Sequence, residues 1–345
     1  MDRHDIIEIL RVGLKAISPY NAQPWQFQFK DGRLLIFAKH KDIGFWKFKN
    51  LVYYTLGAFL EDLSQGARHW RYEMSYSLGA PNYGQSEPVC VVTFKKDLQA
   101  PSHDITPVLT RYTNRNTYRP QAVPAAIIED MRSLFAGPSR EIIEVTGNKD
   151  FIESCSELER VRVTNKELRD EMAEMMRVTT REAALHPQGL DILTLGVPLH
   201  ARMFIRFQKN PVFRNTIGQS LIPQNLVQTQ NTKLLMHSPL LIVFKDEVAS
   251  HEAIVRDWMD IQKILNRLNS HGLSSHIVAS GVDITKIDRS FFSPQELALM
   301  DRAQAKIKKS LGVPSHFILS ILRVGYAEEY KVKSIRVDPE ALLLP

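Results

Sequence analysis

The apolar positions of this chain change period several times, and each change marks an element. Over 5–17, DIIEILRVGLKAI, residues Ile6, Ile9, Leu10, Val12, Leu14 and Ile17 fall near helical spacing. From Trp25 the period drops to two (WQFQF), Asp31-Gly32 supplies a turn, and 33–40 reads as the second arm of a hairpin. Leu51, Tyr54, Ala58, Phe59, Leu63, Ala67 and Trp70 then make one stripe, predicting a long helix over 50–72. EPVCVVTF at 87–94 reads as a buried strand. After a polar stretch, 95–120, the pattern predicts a helix at about 124–136 and a strand at 141–146. Residues 150–235 read as mostly helical, with interruptions at Pro187, Pro198, Pro211 and Pro223. The strand PLLIVFKDE (239–247) leads into a second long helix, about 251–271, striped by Ile254, Trp258, Ile261, Leu265 and Leu268. A helix at 294–311, a strong strand at 316–327 and a polar tail close the chain.

Placing Leu63 on Leu265 puts Phe59 on Ile261 and Trp70 on Gly272, so the two long helices repeat in pattern though not in identity. Strands and helices mix without strict βαβ alternation, which predicts an α+β fold. The expected division is a first half, 1–104, and a second half, 105–345, that carries the helical insertion at 150–235.

The 345 residues carry a net charge of +6, but the lysines and arginines are scattered in short clusters such as Lys95-Lys96. Such scatter reads as a solvated basic surface or as provision for an anionic small ligand, not as a nucleic-acid face. No apolar run reaches the roughly 18–20 residues of a membrane span. The acid-bearing start MDRHDIIEIL has no export core, and Cys90 and Cys155 make neither a metal spacing nor a disulfide framework, so a cytoplasmic setting is expected. No metal site is expected. Cys90, in its apolar strand, reads as a buried small hydrophobe, and Met172, Met175 and Met176 as helix packing. His186, His200, His237, His271 and His276 lack metal spacing and read as structural or exposed.

The stretch AISPYNAQPW (16–25) cannot be helical through Pro19 and Pro24, so it is a stiff loop carrying Ser18, Asn21 and Gln23. Its polar residues could be a binding wall or only cap a helix and brace a turn. Trp25 reads as a core aromatic. Further on, RYTNRNTYRP places Arg111, Thr113 and Arg115 at alternate positions, either as a charged surface or as an anion site.

Ser18-x-x-Asn21-x-Gln23-Pro24-Trp25 resembles the flavin-binding loop of the nitroreductase family. Arg111-Tyr-Thr113-Asn-Arg115 resembles that family's phosphate-binding element, and Lys333-Ser-Ile-Arg336 its closing basic element; Lys331 stands close enough to compete for the lysine's role. The resemblance implies FMN as cofactor, held by Ser18, Asn21, Gln23, Pro24, Arg111, Thr113, Arg115, Lys333 and Arg336. It also implies NAD(P)H as electron donor and a small molecule as partner. A backbone N–H near the reactive flavin nitrogen would come from Ser280 or Gly281. The motif order is unusual: the loop opens the chain, and the arginine element follows about 90 residues later without a second loop. This layout resembles the two-halved, Acg-type branch, in which one chain mimics the family's dimer and builds one flavin site, as a monomer or as a homodimer of such chains. Ile17, Pro19 and Tyr20 depart from that branch's usual A-P-S-x-H-N reading. The implied activity is hydride transfer to a small electrophile, or oxidation of a small molecule. The alternatives are a lidded flavin-sequestering protein and a flavin-fragmenting enzyme.

Overall fold

The computed structural model describes residues 1–39, 50–79, 87–197, 199–216, 231–248, 250–278, 282–329 and 331–344. Helix α1 (Arg3–Gly13) starts at Asp2, whose carboxylate accepts from the Asp5 N–H at 2.8 Å, satisfying one orphan donor of the first turn. Strands β1 (Trp25–Lys30) and β2 (Arg33–Ala38) form the expected hairpin. The long helix α2 (Leu51–His69) ends two residues before β3 (Tyr72–Leu78), and β4 (Cys90–Lys96) completes an antiparallel sheet in the order β1-β2-β4-β3. Strand β3 was not among the expected elements. Its signal is an alternation of Tyr72, Met74, Tyr76 and Leu78 on an edge strand with an exposed face, and it continues directly from the helix pattern.

The polar stretch contains a further short helix, α3 (Thr106–Thr110); α4 (Ala125–Leu134) and β5 (Arg140–Glu144) then follow. The insertion is helical where it is described: α5 (Lys149–Thr164), α6 (Lys166–Met175), α7 (Thr180–Leu185), α8 (Leu199–Gln208), α9 (Pro211–Asn215) and α10 (231–236). Two short strands, β6 (Met176–Arg177) and β7 (Leu190–Asp191), pair within it. Beyond it come β8 (Leu240–Asp246), the long helix α11 (His251–Ser270), β9 (Ser274–Val278), α12 (Pro294–Leu311), β10 (Ile318–Gly325) and a C-terminal turn, α13 (Pro339–Leu342). The second sheet, also antiparallel, has the order β5-β8-β10-β9. Strand, strand, long helix, strand, strand therefore recurs with one spatial order, which places the fold in the α+β class.

Helices α2 and α11 cross face to face between the sheets. Tyr54 stacks on Trp258 at 5.2 Å, and an alanine Cβ at Gly57 would meet the Val255 carbonyl at 2.3 Å, so the crossing needs a glycine there. Trp25 is 2% exposed and packs on Phe59, 5.6 Å between ring centroids, which bears out its core reading. Cys90 is fully buried in β4, and burial pushes its thiol up to about 12. The C-terminal segment returns to the first sheet: Leu343 bridges Phe27, and the Leu344 N–H donates to the Phe27 carbonyl at 2.6 Å. Residues of the expected second half thus finish the first sheet's edge. Among the described residues no helix is long and apolar enough to cross a membrane.

Candidate functional site

The loop at 16–25 is strained. Tyr20, Asn21 and Gln23 have φ of 51°, 55° and 45°, a left-handed backbone that costs non-glycine residues roughly 1–2 kcal/mol each. Side chains hold it there. Asn21 Nδ2 donates to the Pro187 carbonyl at 2.8 Å and to the Ile335 carbonyl at 3.0 Å, while Asn21 Oδ1 accepts from Arg336. Gln23 Oε1 accepts from the Val337 N–H at 2.9 Å, and Ser18 Oγ accepts from the Gln23 N–H at 3.3 Å. Asn21 and Gln23 therefore tie three segments together: the loop, the turn before β7 and the C-terminal tail.

Arg336 also donates to the Lys15 and Ala16 carbonyls, at 3.0 and 3.2 Å. Arg111, 6% exposed, donates to the same Lys15 carbonyl at 2.9 Å, and its Nε has no partner. Among the described residues no carboxylate lies within ion-pair distance of Lys15, Arg111 or Arg336; Lys333 alone is paired, with Glu329 at 3.4 Å, and it stands over the Tyr112 ring. Burial, reinforced by Arg111, pushes Arg336 down to about 9. Lys15 is lowered by burial and then by Arg336, Lys333 and Arg111. The carboxylate that acts on Arg111 and Arg336 is Asp62, buried on α2. Burial raises it to about 7 against the pull of Arg111, and it accepts from Asn266 at 2.7 Å and from Gln262. Arg111 and Arg336 thus share the field of a carboxylate that is itself reluctant to ionise, while Lys15 feels the positive charge of both and of Lys333.

Segment 111–115 reaches this cluster because it adds to the edge of the second sheet. Thr113 bridges Ser275 in parallel, and the Asn114 N–H donates to the Ser275 carbonyl at 3.1 Å. The Asn114 side chain donates to the Glu328 carbonyl at 2.9 Å and pins the segment further.

Both loops continue into the wall of a cavity of about 510 Å³. Ser18 and Tyr20 line it from the N-terminal loop, Thr113 and Arg115 from the arginine segment, and His276 and Ile277 from β9. Most of the opposite wall belongs to the insertion, with Arg162, Met172, His200 and Phe204 among its residues. There Arg162 donates to the Tyr20 hydroxyl at 3.0 Å. Arg115 donates to the Thr194 carbonyl at 3.0 Å, so it too spans from the sheet to the insertion. Of the residues singled out in the sequence, the structure puts Ser18, Thr113 and Arg115 in the cavity wall. Arg111, Arg336, Asn21 and Gln23 sit in the adjoining polar cluster, with Pro24 in the same loop and Lys333 half-exposed at its rim. Ser280 and Gly281 lie outside the described residues. Met175 packs in the core as expected, whereas Met172 and Met176 line the cavity, as do His200 and His276, for which the sequence offers only a structural or exposed reading. Their positions depend on contacts across the insertion and across adjacent strands. Among the described residues no cluster of His, Cys, Asp and Glu could hold a metal.

No protein-family model matches the chain, and no curated protein does. Among solved structures it is similar to an FMN- and NADPH-dependent nitroreductase from Sphigopyxis sp. strain HMH, with 15% identity and a TM-score of 0.38 over 68% of this chain and 95% of that one. It is also similar to an FMN-dependent nitroreductase from Mycobacterium smegmatis in complex with NADPH, with 16% identity and a TM-score of 0.34 over 67% and 92%. A nitroreductase with bound FMN from Bacteroides fragilis NCTC 9343 gives 14% identity and a TM-score of 0.29 over 68% and 97%.

Proposed function

We propose that this chain is an FMN-dependent oxidoreductase of the nitroreductase type, its halves 1–104 and 105–345 standing in for the two subunits of a dimer and sharing one flavin site. The observation that carries the reading is the cation cluster around the buried Arg111. Lys15, Arg111 and Arg336 are gathered with Lys333 at their edge, without a carboxylate in ion-pair contact among the described residues and with an Arg111 donor left over. Such an arrangement is costly unless an anion joins it, and a phosphomonoester, with close to two negative charges and three acceptor oxygens, fits the donor set.

In this reading Arg111, Arg336, Lys15 and Lys333 take the phosphate. Thr113 and Ser18 offer hydroxyls where the cluster opens into the cavity, and Arg115 reaches the ring end. Asn21 and Gln23 hold the loop, stiffened by Pro24, against the tail so that the cluster stays closed. The cavity volume lies in the range of small-ligand sites, and its mostly apolar walls would exclude water from a flat ring. Bound there, FMN would supply hydride chemistry, accepting from NAD(P)H and delivering to a small electrophile such as a nitroaromatic or a quinone. A second reading, a lidded flavin binder with little turnover, is favoured by the insertion, which covers the cavity from one side.

The test is the absorbance spectrum of the purified protein, with the released cofactor identified and counted. A single FMN per chain, bleached by NADPH or NADH, is expected. Bound FMN that neither nucleotide reduces would favour the lidded binder. No flavin after reconstitution would sink both readings.

A further inference from the structure

Arg323 lies in β10 and is 1% exposed. A buried guanidinium is expensive unless it is well partnered, and among the described residues none of this one's partners is a carboxylate. Nε donates to Ser238 Oγ at 2.9 Å and Nη2 to the Asn116 carbonyl at 3.2 Å, and the group lies over the Tyr118 ring at 4.3 Å. The remaining bond runs from Nη1 to His276 Nδ1, at 3.2 Å, between directly paired residues of β10 and β9.

That bond fixes the imidazole's chemistry. A guanidinium has donors and no acceptor, so Nδ1 must offer its lone pair and the ring proton must sit on Nε2. Nε2 has no protein partner among the described residues, and His276 is half-buried in the cavity wall beside Thr113 and Arg115. We propose that Arg323 locks His276 as a neutral Nε2–H donor facing the cavity, and that His276 and Arg115 together bind the edge of the bound ring that gains negative charge on reduction. The second clause rests on the flavin reading; the first does not.

The charged groups acting on His276 are Arg115, from the added edge segment, and Arg323, from the neighbouring strand; both oppose a third positive charge. Burial acts in the same direction and first, so the imidazole is held well below its ordinary value. A fixed neutral donor suits an acceptor whose charge grows during reaction, because its dipole is already aligned and needs no proton movement. Arg323 is then a positioning residue: it touches His276, not the ligand.

Long-range proton–nitrogen NMR of the histidine rings, with His276 assigned by loss of its signals in His276→Gln, tests the first clause without any ligand. Nδ1 unprotonated and Nε2 protonated, unchanged between roughly pH 5 and 9, is expected. A ring that titrates near 6.5, or one protonated on Nδ1, overturns it. Arg323→Lys, which keeps charge and a donor, should preserve the signature, and Arg323→Met, if it folds, should abolish it. For the second clause, the flavin reduction potential is compared in His276→Phe and His276→Gln. Loss of the donor should weaken the reduced form about tenfold relative to the oxidised one, a fall of ~30 mV for a two-electron couple, with Gln restoring most of it. Unchanged potential with FMN bound overturns the donor role. A wild-type protein that takes up no FMN overturns the second clause together with the flavin reading, and leaves the first to the NMR alone.

Discussion

The two sheets have the same strand order but opposite relations to water. In the first, β1 alternates buried and half-buried residues and β3 is largely exposed beyond Tyr72. In the second, β10 is buried at every position, and β8 sends Leu240, Ile242 and Phe244 to the central core while Leu241 and Val243 enter a separate core with Phe151 and Leu158 of α5. The cause is the connection. Two residues join β1 to β2, whereas the equivalent passage from β5 to β8 contains the helical insertion, which folds back over the sheet's outer face. The sequence carries this as WQFQF against PLLIVF, alternation against a continuous apolar run. The lesson is that one topology can be a simple scaffold on one side and a three-layered pocket on the other. What differs is whether further helices, here α5 of the insertion and α12, cover the second face.

On the proposed reading the comparison breaks most sharply at the flavin site, where Arg111 would meet the phosphate and Arg115 the ring, both from the segment that adds to the second sheet. Arg111→Ala with Arg115→Ala should weaken FMN binding by two to four orders of magnitude, since each charge-assisted bond is worth about 1.5–3 kcal/mol. A flavin fluorescence titration checks this, and unchanged affinity would reduce the arginine segment to structure. Next in size is the contrast between the layers. Leu241→Ala, in the insertion-covered core, should cost about 2–5 kcal/mol in denaturant unfolding, and Leu35→Ala, on the half-exposed face of β2, less than half of that. Equal costs would mean that the two faces are not distinct.

Gly57→Ala tests the crossing of α2 and α11. Its Cβ would strike the α11 backbone, so a loss of about 1–3 kcal/mol is expected, visible as a lower midpoint in thermal unfolding. A stabilised variant would refute the tight crossing. The smallest effect concerns Asp62. Its raised value means that the folded chain keeps a proton that the unfolded chain loses near pH 4. Its contribution is therefore full below about 4 and is lost as pH rises toward 7. Asp62→Asn should flatten the stability profile between roughly pH 5 and 7 by up to about 1.4 kcal/mol per pH unit, read from chemical denaturation at several pH values. An unaltered slope would show that Asp62 is already ionised in the fold.

Much of the architecture was legible because burial writes itself into periodicity. The stripes on α2 and α11, the β1–β2 hairpin and the central strands β8 and β10 all follow apolar spacing. The alignment of Leu63 with Leu265 brings the start of β3, Tyr72, onto the start of β9, Ser274. The strand β3 was missed because its outer face is polar and it lacks a breaker before it. At the site, the loop and the arginine segment stood out through residue type and proline spacing. The sequence could not show that Asn21 and Gln23 spend their amides on the backbone at 187 and 335–337, because those partners are more than a hundred residues away.

What the sequence determined by itself is local: where helices and strands run, which loop is stiff, and that Arg111, Thr113 and Arg115 stand at alternate positions. Only the tertiary structure decided that Lys15, Arg111 and Arg336 form one cluster with no carboxylate within ion-pair distance among the described residues, and that Arg323 reaches His276. Charge balance and hydrogen-bond partnership are properties of positions in space, and strand register and helix crossing bring those positions together.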